Sequence, residues 1–381
     1  MTPLRLLAAV TGSPRLLGAR PQAPAAPVRV PPVSLSGAGG TAPAPDRHGP
    51  RARLRAWAEL LRVSALFTVP GDAVAGAAAA GLRPGRGTAL AVGASLCLYE
   101  AGMALNDWAD REEDGVDRPH RPIPSGRVAP GAALAAAGTL TAAGLALAAR
   151  AGCPALAVAS GLAATVWAYD LHLKHTRLGP AAMAAARTLD LLLGATATAA
   201  TTTRATTTTT ITTTTKATGA TTTAPAAAAR PARVPAPAAA LPAALALGAH
   251  TYAVTAVSRH ETQGGSTTAP LAALAGVAAL GTAVLRGRPG PWEPPRPHAA
   301  AGGLLLTAFT GAYLRTSATP LLHATLNPSP PLTQRAVGGG IRAMIPLQAA
   351  LAARAGSPLN GLAVMGLVPL ARALARKVSP T

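Results

Sequence analysis

The chain has 381 residues, enough for two or three ordinary domains, but 49% are hydrophobic and only 13% charged, against about 25% charged in a typical soluble domain. Too few charges remain to coat a water-facing surface, so a polytopic membrane protein is expected. A net charge of +20 would suit a polyanion, but the arginines fall mostly in short polar stretches between apolar runs and the ten aromatics form no stacking platform, so no nucleic-acid partner is expected.

Residues 1–53 are rich in Pro, Ala, Gly and Arg and cannot bury enough surface to offset chain entropy. They are read as a disordered tail, and a translation start near Arg53 suits the composition equally well. The run Leu6 to Val10 is too short for a signal-peptide core. From residue 54 to 381 apolar runs recur at lengths near the ~20 residues that cross a bilayer as helix. Spans are placed at 58–81, 88–105, 129–149, 152–169, 179–198, 238–257, 268–285, 299–317 and 357–374, with a further apolar segment at 339–354. The fold class is all-α, a transmembrane bundle of about nine spans, because spanning backbone must satisfy its own hydrogen bonds. Many spans are Ala/Gly-rich, which allows close helix approach. Cys97 and Cys153, both in apolar runs, make neither a disulfide framework nor a Cys-based metal site.

After the second span, Asp107, Asp110, Glu112, Glu113, Asp114 and Asp117 fall within eleven residues. A solvated loop is the ordinary reading of such a cluster. The spacing favours more: if the second helix continues, Asp107, Asp110 and Asp114 at i, i+3 and i+7 share one face, with Asn106 beside Asp110. Stacked carboxylates destabilise a helix unless a cation bridges them, and oxygen-only ligands suit Mg2+, which usually binds one or two carboxylates plus substrate phosphates. Arg118, His120, Arg121 and Arg127 follow in a turn made rigid by Pro119, Pro122 and Pro124. Metal ligands, anion-binding arginines and an apolar bundle together describe a pocket for a diphosphate carrying a hydrocarbon tail.

Asn106 to Asp114 (NDWADREED) fits the NDxxDxxxD signature of the UbiA-type membrane prenyltransferases, and Arg118 to Gly126 (RPHRPIPSG) is similar to its Arg-Pro-rich continuation. Tyr169 to Lys174 (YDLHLK), then Gly179, Pro180, Met183, Arg187 and Gly194, resemble the family's Tyr/Lys loop and fifth helix. The resemblance implies Mg2+ held by Asp107, Asp110 and Asp114, with Asn106 in the same catalytic motif. It also implies a prenyl diphosphate near Arg111, Arg118, Arg121, Tyr169, Lys174 and Arg187, and a hydrophobic, often aromatic or lipidic, acceptor within membrane lipid. An interfacial Tyr and a snorkelling Lys are also ordinary at span ends. Arg187 and Asp190, two turns into a span at i, i+3, permit either a salt bridge or a functional role. His250 and Asp72, in or near spans, receive no role.

Residues 196–224 contain 18 Thr among 29, and β-branched polar residues without an apolar face read as a low-complexity loop over about 196–238. The family's second Asp-rich motif is expected after helix six. The chain has Ser258 to Gly265 (SRHETQGG) there, with one acid, Glu261. Glu261 serves as the surviving second-site acid of an enzyme, or the chain is a non-catalytic lipid-handling relative. By span parity, the loops 106–128, 170–178 and 258–267 lie on the side of the N-terminus. Their arginines, with Arg51, Arg53, Arg55 and Arg62, place that face in the cytoplasm of a bacterial-type cell membrane, although Arg83, Arg86, Arg286 and Arg288 fall opposite.

Overall fold

The computed structural model describes residues 49–214, 236–286 and 299–369, and no strand occurs among them. The helices are α1 (Pro50–Leu60), α2 (Pro70–Ala79), α3 (Arg86–Ala109), α4 (Arg111–Asp117), α5 (Pro130–Ala151), α6 (Cys153–Ala168) and α7 (Gly179–Thr214). They continue with α8 (Ala236–Ala239), α9 (Leu241–Ser258), α10 (Thr268–Arg286), α11 (Ala299–Leu326), α12 (Pro330–Arg354) and α13 (Pro358–Met365). Six segments among the described residues are long and apolar enough to cross a membrane: α3, α5, α6 with the turn that follows it, α9, α10 and α12. That count is lower than the expected nine.

Three expectations change in detail. The first span is not one helix: α1 ends, Arg62 turns left-handed with φ 49°, a 3-10 turn covers Val63–Thr68, and α2 restarts at Pro70. A left-handed arginine costs about 1 kcal/mol, and Pro70 is tolerated because the first helical N–H is unused. The Thr-rich tract does not begin a loop at 196, because α7 continues to Thr214. As far as Thr203 its hydroxyls bond back along the helix: Thr198 and Thr202 donate to carbonyls four residues back at 2.7 and 2.8 Å, so these hydroxyls find partners without leaving the helix. Residues 215–235 and 1–48 lie outside the described residues. The segment at 339–354 belongs to α12, where every residue from Ala343 to Ala353 is buried, and is central rather than accessory.

Close packing depends on small residues. A Cβ on Gly194 of α7 would lie 2.5 Å from the Ala73 carbonyl oxygen of α2, and one on Gly144 of α5 would lie 2.9 Å from Leu98 of α3. Alanine dominates the buried core around α3, α5, α6 and α7. Deep in the other half, His250 is fully buried between the Tyr313 hydroxyl (3.1 Å) and the Gly340 carbonyl (2.9 Å). Both ring nitrogens are thereby used, and the histidine is structural.

Three loops gather at one end of the bundle. Arg259, after α9, donates to the Thr176 carbonyl ahead of α7 at 2.5 Å. Lys174 pairs with Asp110 at the end of α3. Gly264 and Gly265 adopt positive φ (65° and 81°), and the Gly265 N–H reaches the Pro328 carbonyl at 2.8 Å, which fastens this loop to the α11–α12 connection.

Candidate active site

The acidic motif straddles a helix break. Asp110 closes α3 and opens α4 with φ −88° and ψ 4°, so the helix does not run through unbroken. The backbone bonds Asp110 N–H to Asn106 O and Asp114 N–H to Asp110 O nevertheless carry the helical path across. Asp107 and Asp114 therefore still share a face. Both are buried, and both accept from Nη1 of Arg121, at 3.3 and 2.7 Å. Arg62 adds a contact to Asp107 at 3.1 Å and Arg118 one to Asp114 at 3.4 Å.

Asp110 is turned elsewhere. Its carboxylate meets Lys174 and lies 4.0 Å from His175 Nε2, and the ligand atoms of Asp110, Glu113 and His175 lie within 4.8 Å of one another. These residues border a surface cleft of about 380 Å³. Arg111 stacks over Trp108 (4.8 Å) and donates to the Trp108 carbonyl (3.0 Å) and to Glu112 (3.2 Å), so it lines the cleft from outside.

The Pro-rich turn is rigid for visible reasons. Ile123 and Val128 are buried against α1, α3 and α5, and Arg127 grips Glu59 of α1 with two nitrogens (2.6 and 3.1 Å) while donating to the His120 carbonyl. The hydrogen bond to Glu59 raises the Arg127 pKa. Arg118 and Arg121 are thereby presented to the carboxylates, whereas Arg127 and His120 serve the turn.

A single π-type turn, Tyr169–Leu173, closed by Lys174 N–H to Tyr169 O at 2.9 Å, ends α6. It buries Asp170, which accepts from Asn106 Nδ2 at 3.0 Å. Sequence reasoning gave Asp170 no role, and it treated Arg62 as a flanking charge. The signal for Asp170 lay in its place beside Tyr169; Arg62 carried none.

Beneath Asn106 and Asp170 opens a cavity of about 460 Å³. Arg62, Asn106, Tyr169 and Asp170 form its mouth, Leu98, Met103, Leu162, Val166 and Met183 its walls, and Ser95, Arg187, Asp190 and Thr251 its far end. Arg187 is held there rather than at the mouth. Its Nε lies 3.1 Å from Asp72 Oδ2, and its Nη2 donates to the Thr68 carbonyl (3.2 Å) and meets the Met344 sulfur (3.1 Å). Among the described residues it contacts none of the acidic motif. The local pairing with Asp190 read from sequence gives way to the longer-range ion pair with Asp72, while Asp190 accepts the Ser95 hydroxyl.

Glu261 is half-buried in the loop after α9. Burial raises its carboxyl above the ordinary 4.5 and the charge of Arg118 pulls the other way.

Residues 64–285, more than half of the chain, match the UbiA prenyltransferase family. The chain belongs to that family. It is an integral membrane protein by its family and by its apolar helices. Over 82 residues it is 43% identical to the digeranylgeranylglyceryl phosphate synthase of Methanopyrus kandleri, a match covering 20% of this chain and 28% of that protein. Over 26 residues it is 62% identical to the bacteriochlorophyll synthase 33 kDa chain of Rhodobacter capsulatus, covering 7% of this chain and 9% of that one. The chain thus spans under a third of the length of these curated relatives. A UbiA homologue from Archaeoglobus fulgidus, solved bound to GPP and Mg2+, superposes with a TM-score of 0.51 at 18% identity, covering 82% of this chain and 99% of that one. This likeness shows the fold.

Proposed function

We propose that the protein is an intramembrane prenyltransferase, moving an isoprenoid chain from a prenyl diphosphate to a hydrophobic acceptor with Mg2+ bound. The observation that carries this reading is the meeting of Asp107 and Asp114 on one guanidinium nitrogen, with Asp107 also held by Arg62, which lines a mainly apolar cavity. Two buried carboxylate oxygens facing one positive point, with no sulfur or nitrogen donors, are a fitting donor set for a hydrated divalent cation. Asp107 and Asp114 would hold it from one side, and Asp110, released as Lys174 turns to phosphate, would hold it from the adjoining edge.

Mg2+ bound there supplies neutralising charge for the departing diphosphate. The chain's own contribution is electrostatic as well. Arg118, Arg121 and Lys174 exchange their present carboxylate partners for phosphate oxygens, with Tyr169, Asn106 and Arg62 at the mouth, and so stabilise charge that grows as the allylic carbon–oxygen bond lengthens. Arg111 borders the same end from outside, and Glu261 is assigned as a further acid on the Arg118 side. Leu98, Met103, Leu162, Val166 and Met183 keep water from the allylic cation. Arg187 is assigned to the far end of the cavity and not to the diphosphate. The gathered loops face the cytoplasm of the cell membrane, in keeping with their arginines, where a soluble diphosphate and Mg2+ are available.

The test is incubation of the purified protein with Mg2+ and labelled prenyl diphosphates of several lengths together with membrane acceptors. Release of diphosphate coupled to prenylated product supports the reading, and binding of isoprenoid without release contradicts it.

A further inference from the structure

The far end of the cavity is polar, and its polarity has a definite charge balance. Ser95 donates to Asp190, Arg187 is matched by Asp72, and Gln348 secures Asp72 Oδ1 at 2.6 Å while donating to the Thr68 carbonyl at 2.7 Å. Asp72, Asp190 and Gln348 are all buried, Asp72 and Gln348 completely. Polar groups at such depth in a bilayer protein are costly and are retained for function by default. Two carboxyls stand against one guanidinium, so with at most one of them protonated no positive charge is left over for an anion.

We propose that this polar floor, Ser95, Asp190 and Thr251 beside the neutralised Arg187, receives the acceptor's head group, and that it takes an uncharged hydroxyl-bearing group in preference to a phosphate. This inference rests on the prenyltransferase reading. Asp190 is a hydrogen-bond acceptor for a hydroxyl and repels a phosphate. Apart from Tyr99, the walls between floor and mouth are mainly apolar, which fits an acceptor with a polar end on the floor and a mainly apolar body leading to its nucleophilic atom. Ser95 and Asn106 are eleven residues apart on α3, about 16 Å along a helix. Asp190 is thus a positioning residue, holding the far end of the acceptor while its nucleophilic atom lies nearer the mouth. At the mouth the allylic carbon–oxygen bond breaks, its electron pair leaves with diphosphate, and the acceptor atom bonds to that carbon and gives up its proton to the departing diphosphate. The contrast with relatives named for digeranylgeranylglyceryl phosphate is a difference in acceptor head group.

Three probes that share an apolar body separate the possibilities: 4-nonylphenol, its methyl ether 4-nonylanisole, and 4-nonylphenyl phosphate. Displacement of tritiated 4-nonylphenol from the protein in lipid nanodiscs, corrected with empty nanodiscs, should rank the phenol at least tenfold above both others. In Asp190→Leu, phenol and ether should converge to within twofold. Where that variant fails to insert, Ser95→Ala, which frees the Asp190 carboxyl to turn, should cut the phenol's margin over the ether at least threefold. A phosphate ester that competes as well as the phenol, or a margin unchanged in the folded variants, overturns the proposal. Binding of geranyl diphosphate with Mg2+ in the same nanodiscs reads the mouth separately. If it binds while the phosphate ester wins, only the floor assignment fails. If it does not bind while the phenol ranking holds, the transferase reading fails and the floor remains a site for a hydroxyl-bearing lipid.

Discussion

Asp107 and Asp114 stand on either side of a helix break and accept from the same nitrogen of Arg121, at 3.3 and 2.7 Å. The guanidinium therefore occupies the place between two buried carboxylates that a cation would take. Removing it in Arg121→Gln leaves like charges facing each other with only Arg62 and Arg118 at their edges. A loss of about 3 kcal/mol is expected, the scale for breaking a buried pair. Mg2+ alone, without substrate, should restore much of that loss, because an ion bound only to the folded state stabilises it. Thermal unfolding with and without Mg2+ checks this. An Arg121→Gln protein as stable as wild type, or one indifferent to Mg2+, speaks against a cation site between these aspartates.

The helical bundle was legible because apolar runs of span length can form little else in a bilayer, and the acidic motif was legible because i, i+7 spacing survives even a single-residue break at Asp110. What the sequence hid were contacts between distant segments. Arg187 pairs with Asp72, over a hundred residues away, although Asp190 was the only acid at local spacing. Arg62 reaches Asp107 only because the chain turns left-handed there, and no local pattern announces that turn. The Thr-rich tract is helical from 196 to 214 because β-branched propensity is a weak prior, and hydroxyls such as those of Thr198 and Thr202 bond back to their own helix.

Small residues at helix crossings make a second prediction. Alanine at Gly194 would put its Cβ 2.5 Å from a backbone oxygen of Ala73, which cannot step aside as a side chain can. Gly194→Ala should cost about 1–3 kcal/mol, the range for overpacking. Gly138→Ala, where nothing lies within 4 Å, should be neutral or gain up to about 1 kcal/mol from helix propensity. Unfolding of both variants in one detergent measures the difference.

Glu261 sets a pH dependence. Burial raises its carboxyl above 4.5, offset in part by Arg118, so the folded state holds this proton more tightly than the unfolded chain. The stability associated with that proton is present at low pH and is lost as pH rises from 4.5 through the raised value. Function runs the other way, since only the ionised form serves as an acid facing Mg2+ and diphosphate. Diphosphate release should fall on acidification along a limb above 4.5, and Glu261→Gln should lower the rate and flatten that limb. An unchanged limb in Glu261→Gln assigns the titration to another group.

If the acidic motif holds Mg2+ against a diphosphate, turnover depends on each of its aspartates. The measurement that tests it most directly is Mg2+-dependent diphosphate release from labelled prenyl diphosphates by wild type and Asp110→Asn. Asp110 meets Lys174 and borders His175, and Asn is nearly isosteric, so the variant should fold and insert as wild type does. Wild type should release diphosphate rapidly with Mg2+ present, and Asp110→Asn should lose at least ~100-fold, the scale for removing one element of transition-state charge stabilisation. Equal release by both proteins, or none by wild type across chain lengths and acceptors, would contradict it.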